Sequence, residues 1–286
     1  MVKTIGNPFT WAAQGVSHMG HAARDATAAL GSEVTEPPKV NAITPRDLGI
    51  ALRKGYRDFI RFRSDVMFVV LLYPIIGLCL GVLAFQGALL PMLFPLGAGF
   101  LLLGPIAAIG LYEMSRQGED RDDVGWGAAL SVLRAYNIGP VLVMTFYLLA
   151  LFALWMAAAM QIHAWTLGPD APAGVAAFAV QVFTTQAGWT MIALGMGVGF
   201  VFAAIVLVIS LTALPMLIDR HVGLPVAVTT SVNVARRNPF TVAGWGLVVA
   251  LGMLLGTLPF FLGLIVVLPI LGHATWHIYR AAVPRS

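Results

Sequence analysis

Charge is what this sequence lacks most. Residues 66–112, 135–169, 171–218 and 238–279 contain no Asp, Glu, Lys or Arg. Charged residues make up 10% of the chain and hydrophobic residues 59%, against roughly 25% and 45–50% in soluble domains. A soluble core of this size would show amphipathic stripes broken by charges. Here charges gather between long apolar tracts, which excludes a soluble globular enzyme and implies a polytopic membrane protein. Cysteine is scarce too. The one thiol, Cys79, lies inside an apolar tract and reads as a small buried hydrophobe, so neither a disulfide framework nor a cysteine metal cluster is available. Acids and bases are also missing from the middle of every tract, which disfavours proton-coupled pumps, ion-coupled carriers and voltage sensors. Hydroxyls at Thr190, Ser210, Thr212 and Thr257 are the polar groups that remain to line a pore. The net charge of +4 reflects basic loops on one membrane face rather than nucleic-acid binding.

What is present can be taken in order. Residues 1–43 are polar and alanine-rich, without the layout of a signal peptide. They read as an arm with a helix from Pro8 to Leu30 carrying His18 and His21, and a Glu36-Pro37-Pro38 linker. From Thr44 to Asp65, Leu48, Leu52, Tyr56 and Phe59 recur at helical spacing opposite Arg53, Lys54, Arg57 and Arg61. This is the pattern of a helix lying on an anionic leaflet or capping the bundle from inside.

A hydrocarbon core about 30 Å thick needs roughly 20 apolar helical residues per crossing. The 47 residues of 66–112 therefore hold two spans, turning near Gln86-Gly87 and Pro91, with kinks expected at Pro74 and Pro105. The charged loop 113–134 ends in a second interfacial helix from Val124, and the third span runs from Ile138 to Met160, rimmed by Gln161, His163 and Trp165. The 42 residues of 238–279 hold the fifth and sixth spans, turning near Gly256-Thr257-Leu258-Pro259. Residues 171–218 are long enough for two spans but are read as one, Trp189 to Leu214, preceded by an external interfacial helix from Ala171 to Gln186. One crossing here puts all 17 Lys and Arg on the same side, as the positive-inside rule requires, and leaves Asp170 as the one external acid. A third interfacial helix is expected from Pro225 to Val234. The expected fold is thus an all-α membrane bundle of six transmembrane helices over residues 44–282, a short tail over 283–286, and both termini cytoplasmic.

A displacement of 99 residues aligns Asp120 with Asp219, Arg121 with Arg220, Ala128 with Ala227 and Pro140 with Pro239. Thr44 to Asp65 is a looser third copy. This suggests three units of interfacial helix plus hairpin around a pseudo-threefold axis. The pairs Gly77/Gly81, Gly195/Gly199 and Gly252/Gly256 have the four-residue spacing that lets membrane helices pack closely, within the bundle or between copies. Gly195-Met196-Gly197-Val198-Gly199 has no strand before it and is not a dinucleotide loop. His221, Ser231 and Asp219 share a loop without the context of a hydrolase triad.

His273 and His277 lie four apart on one face of the sixth span, beside Trp276 and Tyr279. Such a pair can hold a metal ion or, singly, an axial haem site. The competing role is hydrogen bonding to loop acids such as Glu113 or Asp219. No cofactor is expected apart from that alternative.

Three motifs carry a resemblance: "GPIAAIGLYEMSR" (104–116), "LPMLIDR" (214–220) and "GHATWHIYR" (272–280). Together they resemble an uncharacterised family of bacterial predicted integral membrane proteins, over about residues 44–282, the last motif being the most specific. Some members carry a label relating them to cytochrome c oxidase subunit I. The resemblance implies a six-span bacterial inner-membrane protein and supplies no catalytic residues. A haem–copper catalytic subunit needs several histidines within its spans, and only His273 and His277 lie in one here. The expectation is therefore a non-enzymatic accessory, assembly or scaffold component binding a membrane partner, such as a respiratory complex. The alternative is a transporter or channel for a neutral or amphipathic solute. An intramembrane enzyme would need both histidines to meet acids in an accessible pocket.

Overall fold

Helix starts and breaks in this chain follow from local chemistry. A computed structural model describes residues 36–84, 87–121, 123–125, 127–132, 138–170, 172–259 and 261–285. The arm helix expected over Pro8 to Leu30, with His18 and His21, lies outside the described residues, as does Gln86 of the first turn. Every described element is helical.

At Thr44 the chain enters helix α1 (Pro45–Ala84). The Thr44 amide and hydroxyl both donate to Asp47 Oδ2 at 2.7 Å, and Pro45 follows at the first helical position, where its missing N–H costs nothing. The helix runs unbroken for 40 residues. The amphipathic segment 44–65, expected to be a separate interfacial helix, is instead the start of the same helix that carries the expected first span. Its inward face is Leu48, Ala51, Gly55 and Phe62, whereas Tyr56 is half exposed on the other side. Cys79, expected to be buried, is exposed.

A 3-10 turn (Gly87–Met92) containing Pro91 leads into α2 (Leu93–Leu102), α3 (Gly104–Ala107) and α4 (Ile109–Gly118). The interruption falls at Pro105, which lacks a donor for the helical ladder. Next come α5 (Gly127–Ser131) and α6 (Ile138–Thr166), then α7 (Val175–Thr184) and α8 (Gln186–Ser210). A break at Leu211–Thr212 separates α8 from α9 (Ala213–Asp219). Helix α10 (Leu224–Arg237) precedes the hairpin α11 (Pro239–Thr257) and α12 (Leu264–Ala282).

Among the described residues, three stretches are long and apolar enough to cross a membrane: 138–166, 186–219 and 239–257. Their outward faces carry Phe146, Leu154, Phe200, Leu247 and Leu255, all more than half exposed. Such continuous apolar exposure fits lipid rather than water. Helix α12 is as long as α11 but polar in its second half, and its neighbours enclose it: Trp276, Tyr279, His273 and Ala274 are fully buried. Lipid offers apolar side chains no less than a helix does, so close steric fit must bring such helices together. Gly55 provides that fit, because a Cβ there would stand 2.6 Å from the Ala274 amide nitrogen and 2.6 Å from the Ile270 carbonyl oxygen.

The expected packing glycines divide. A Cβ at Gly252 would press on Leu271 and Val267, and one at Gly256 on Leu264, so this pair forms the α11–α12 contact. Gly199 packs on Trp155, but a Cβ at Gly195 would meet nothing within 4 Å, so Gly195 belongs to an open face. Gly77 is buried, and Gly81 lies outside the residues whose surroundings are described. The arm's boundary also moves: Asn41 donates to the Ala282 carbonyl at 2.8 Å and Ile43 to Asn238 Oδ1 at 2.8 Å, so the body begins before Thr44.

Candidate functional site

The ends of α4, α9 and α12 meet, and a network of charged side chains joins them. Each helix presents unpaired carbonyls and the negative end of its dipole there, which favours cations. Arg280 of α12 supplies one, donating to both oxygens of Asp219 at 2.7 and 2.8 Å and pairing with Glu119 at 2.9 Å. Its guanidinium also stacks 4.6 Å from the Trp276 ring, whose Nε1 donates to Glu119 at 2.9 Å. Tyr279 donates to Asp219 at 2.7 Å and accepts from Arg220 at 3.1 Å. Arg285 pairs with Glu119, and Arg220 reaches the Pro284 carbonyl. On α4, Arg116 makes a two-pronged contact with Glu113 at 2.7 Å, and Gln117 joins Glu113 to Ser131 of α5. An open groove of about 280 Å³ lies among Arg116, Asp120, Asp219, Arg220, Arg280 and Arg285. Burial would raise the Glu119 carboxyl, but hydrogen bonds from Arg280, Trp276 and Arg285 outweigh it and hold the group below its ordinary value.

The histidines occupy a second layer beneath this groove. Neither meets Glu113 or Asp219, the acids expected from sequence. His277 Nε2 lies 2.9 Å from Asp58 Oδ2 of α1, and His273 Nδ1 lies 2.8 Å from Ser115 Oγ of α4. Ser115 in turn donates to Asp58 Oδ2 at 2.8 Å. Burial raises the Asp58 carboxyl, yet the bonds from His277 and Ser115 bring it below the ordinary range, so it is ionised at neutral pH.

A hydroxyl has one proton, and Ser115 gives it to Asp58; its oxygen then accepts from Nδ1–H of His273. His273 Nε2 is left with its lone pair, buried and without a hydrogen-bond partner among the described residues. The result is a chain His277–Asp58–Ser115–His273 that ties α1, α4 and α12 together. Among the described residues no three His, Cys, Asp or Glu side chains are arranged to hold a metal ion. The nitrogens that the two histidines turn toward α1 and α4 are taken up by Asp58 and Ser115.

Sequence reading missed Asp58 and Ser115. A signal for Asp58 exists: it is the acid that shares a helix face with Leu48, Ala51, Gly55 and Phe62. Ser115 carried none, because a serine near a helix end is ordinarily solvated. Ser231, set aside as a triad member, acts inside the α8–α9 break, where its Oγ donates to the Val208 carbonyl at 2.7 Å and accepts from the Thr212 amide at 3.2 Å.

No curated protein and no solved structure gives a match to the chain. A family described as "Predicted integral membrane protein (DUF2189)" matches residues 93–219. That stretch contains the motif at 104–116 and all but the last residue of the motif at 214–220, while the motif at 272–280 falls beyond it. Over residues 93–219 the chain thus carries the pattern of an uncharacterised family of predicted integral membrane proteins, in agreement with the resemblance read from its sequence.

Proposed function

We propose that this is a non-catalytic component of the bacterial inner membrane, crossing it six times with both termini inside, whose braced inner face binds a membrane partner. The observation that carries this is the meeting of Glu119, Asp219 and Arg280. It brings the ends of the second, fourth and sixth spans to one side. That parity supports a single crossing in residues 171–218, since a second crossing would carry Asp219 to the far face. Asn238, ahead of the fifth span, bonds Ile43 and Asn41 ahead of the first, which supports the same layout.

A face braced by bonded arginines is a rigid platform, and rigidity lowers the cost of binding. The groove at 116, 120, 219, 220, 280 and 285 is where a partner's polar segment would seat. A respiratory complex is the first partner to test, because of the label some members of the resembled family carry. Purification of the tagged full chain in mild detergent, followed by identification of retained proteins, tests the reading. Recovery of a stoichiometric partner that is lost on Arg285→Gln is the expected result. Unchanged oxidase content and activity after gene deletion would remove the respiratory partner.

A transporter for a neutral solute is favoured by one observation: the α8–α9 span is broken at Thr212, whose buried hydroxyl has no partner among the described residues. Interrupted helices often mark transport sites. Solute flux in proteoliposomes, abolished by Thr212→Val, would select this reading over the first.

A further inference from the structure

The outer face of α1 is basic because the fold withdraws its acids. Asp47 is turned to cap the helix at Thr44, and Asp58 points inward to Ser115 and His277. What remains outside over residues 46–60 is Arg46, Arg53, Lys54 and Arg57, all exposed, with Ile50, Tyr56 and Ile60 between them, each 44–51% exposed. At 3.6 residues per turn these positions form one stripe. Among the described residues no ion pair engages its four cations.

The height of the stripe is set by its neighbours. Ile43 is bonded to Asn238 and Thr241 at the first turn of α11, and Leu48 packs over Gly244, one turn further along. Gly55 is pressed onto Ile270 and Ala274 of α12. The stripe therefore runs level with the inner ends of the last hairpin instead of projecting into water. Cations interleaved with exposed isoleucine and tyrosine at that level match a surface that is anionic on its water side and apolar beneath, since long basic side chains can lay their stems on hydrocarbon and lift their charges to the headgroups.

We propose that the face formed by Arg46, Ile50, Arg53, Lys54, Tyr56, Arg57 and Ile60 is a binding site for anionic phospholipid of the inner leaflet. An acidic protein segment would satisfy the cations, but it would leave the three apolar side chains in water, so lipid is the better fit. This site is independent of the partner groove, which lies on α4, α9 and α12.

The test uses the purified full chain in a zwitterionic detergent, with thermal unfolding followed as phosphatidylglycerol or phosphatidylcholine is added. Phosphatidylglycerol is expected to raise the midpoint by several degrees and phosphatidylcholine to leave it nearly unchanged. Apparent lipid affinity should fall roughly fivefold for each cation removed in Arg53→Gln, Lys54→Gln and Arg57→Gln, while Arg236→Gln/Arg237→Gln, on α10, keeps most of the response. Because each single change alters one exposed residue, the series survives a combined variant that fails to fold. Equal responses to the two lipids, or single and combined α1 variants that respond as the wild type does, would overturn the proposal. So would poly-glutamate stabilising the chain as well as phosphatidylglycerol does, which would point to a protein partner.

Discussion

Ser231 stands inside the backbone ladder of another helix at Thr212. In an unbroken helix the Thr212 amide would bond the Val208 carbonyl; here the Ser231 hydroxyl sits between them, accepting from one and donating to the other. Insertion of this kind opens a helix without leaving a backbone group unpaired. It also clamps α10 to the α8–α9 stretch. The break, which Pro215 favours locally because it lacks the donor for the Leu211 carbonyl and crowds it, is thus held from outside as well.

Removing that hydroxyl makes the first prediction. Ser231→Ala leaves the Val208 carbonyl and the Thr212 amide buried without their partner unless the helix closes, at a cost of about 1–3 kcal/mol. A lowered unfolding midpoint and faster amide exchange at 211–213 are expected, and Ser231→Thr should restore most of both. Exchange unchanged in the alanine variant would mean the break does not depend on Ser231.

The second concerns the pair of Asp58 and His277. Asp58→Asn removes the charge that orients both His277 and Ser115, and His277→Gln removes one donor. Each should destabilise by about 1–3 kcal/mol, and the double variant by less than the sum, because the two side chains bond directly. Thermal melts of the four proteins in detergent give the coupling. Strict additivity would count against the contact.

Acid provides a third test. Asp58 and Glu119 both hold their protons less tightly in the folded protein than in the unfolded chain. Their contribution is therefore complete above the unfolded carboxyl values of about 4 and is lost as pH falls through the lower folded values. Stability should be flat from neutral to about pH 5 on account of these groups and decline below about pH 4.5. The decline should be shallower in Asp58→Asn, measured by denaturation across that range.

A fourth follows from Gly55. Gly55→Leu places a side chain where even a Cβ would lie 2.6 Å from α12 backbone atoms, and neither backbone has a flexible end to move aside. Loss of the α1–α12 contact is expected, seen as protease sensitivity between residues 44 and 62. Gly195→Leu, with open space around it, should fold normally.

Purified protein should carry neither haem nor stoichiometric metal at His273 and His277, because Asp58 and Ser115 take up one nitrogen of each and, among the described residues, no set of three His, Cys, Asp or Glu side chains is arranged to hold an ion with them. Visible absorption and metal analysis check this.

Much of the architecture was legible in residue order because the bilayer imposes a one-dimensional rule: a tract without charge long enough to span must span, and a proline or glycine where it turns marks the turn. Hence the hairpin at 257–264, the short helix at 175–184 and the helix at 224–237 all lie near their expected places along the chain. The errors came where one element's fate depends on another. Residues 44–65 have the periodicity of an independent surface helix, yet they continue into the span because Gly55 fits against α12. The sequence pairs the histidines with acids at the ends of other tracts, Glu113 and Asp219, whereas the fold brings His277 to Asp58, more than 200 residues away in sequence.

By itself, then, the order of residues determined that the chain is helical and membrane-bound, where its apolar tracts begin and end, and between which tracts its cations gather, since hydration of charge acts on each segment alone. Which acid meets which base, which glycines are contacts and which open surface, and where a hydroxyl enters a neighbour's backbone were decided only by tertiary structure. Those outcomes depend on distances of a few ångströms between segments that no local energy relates.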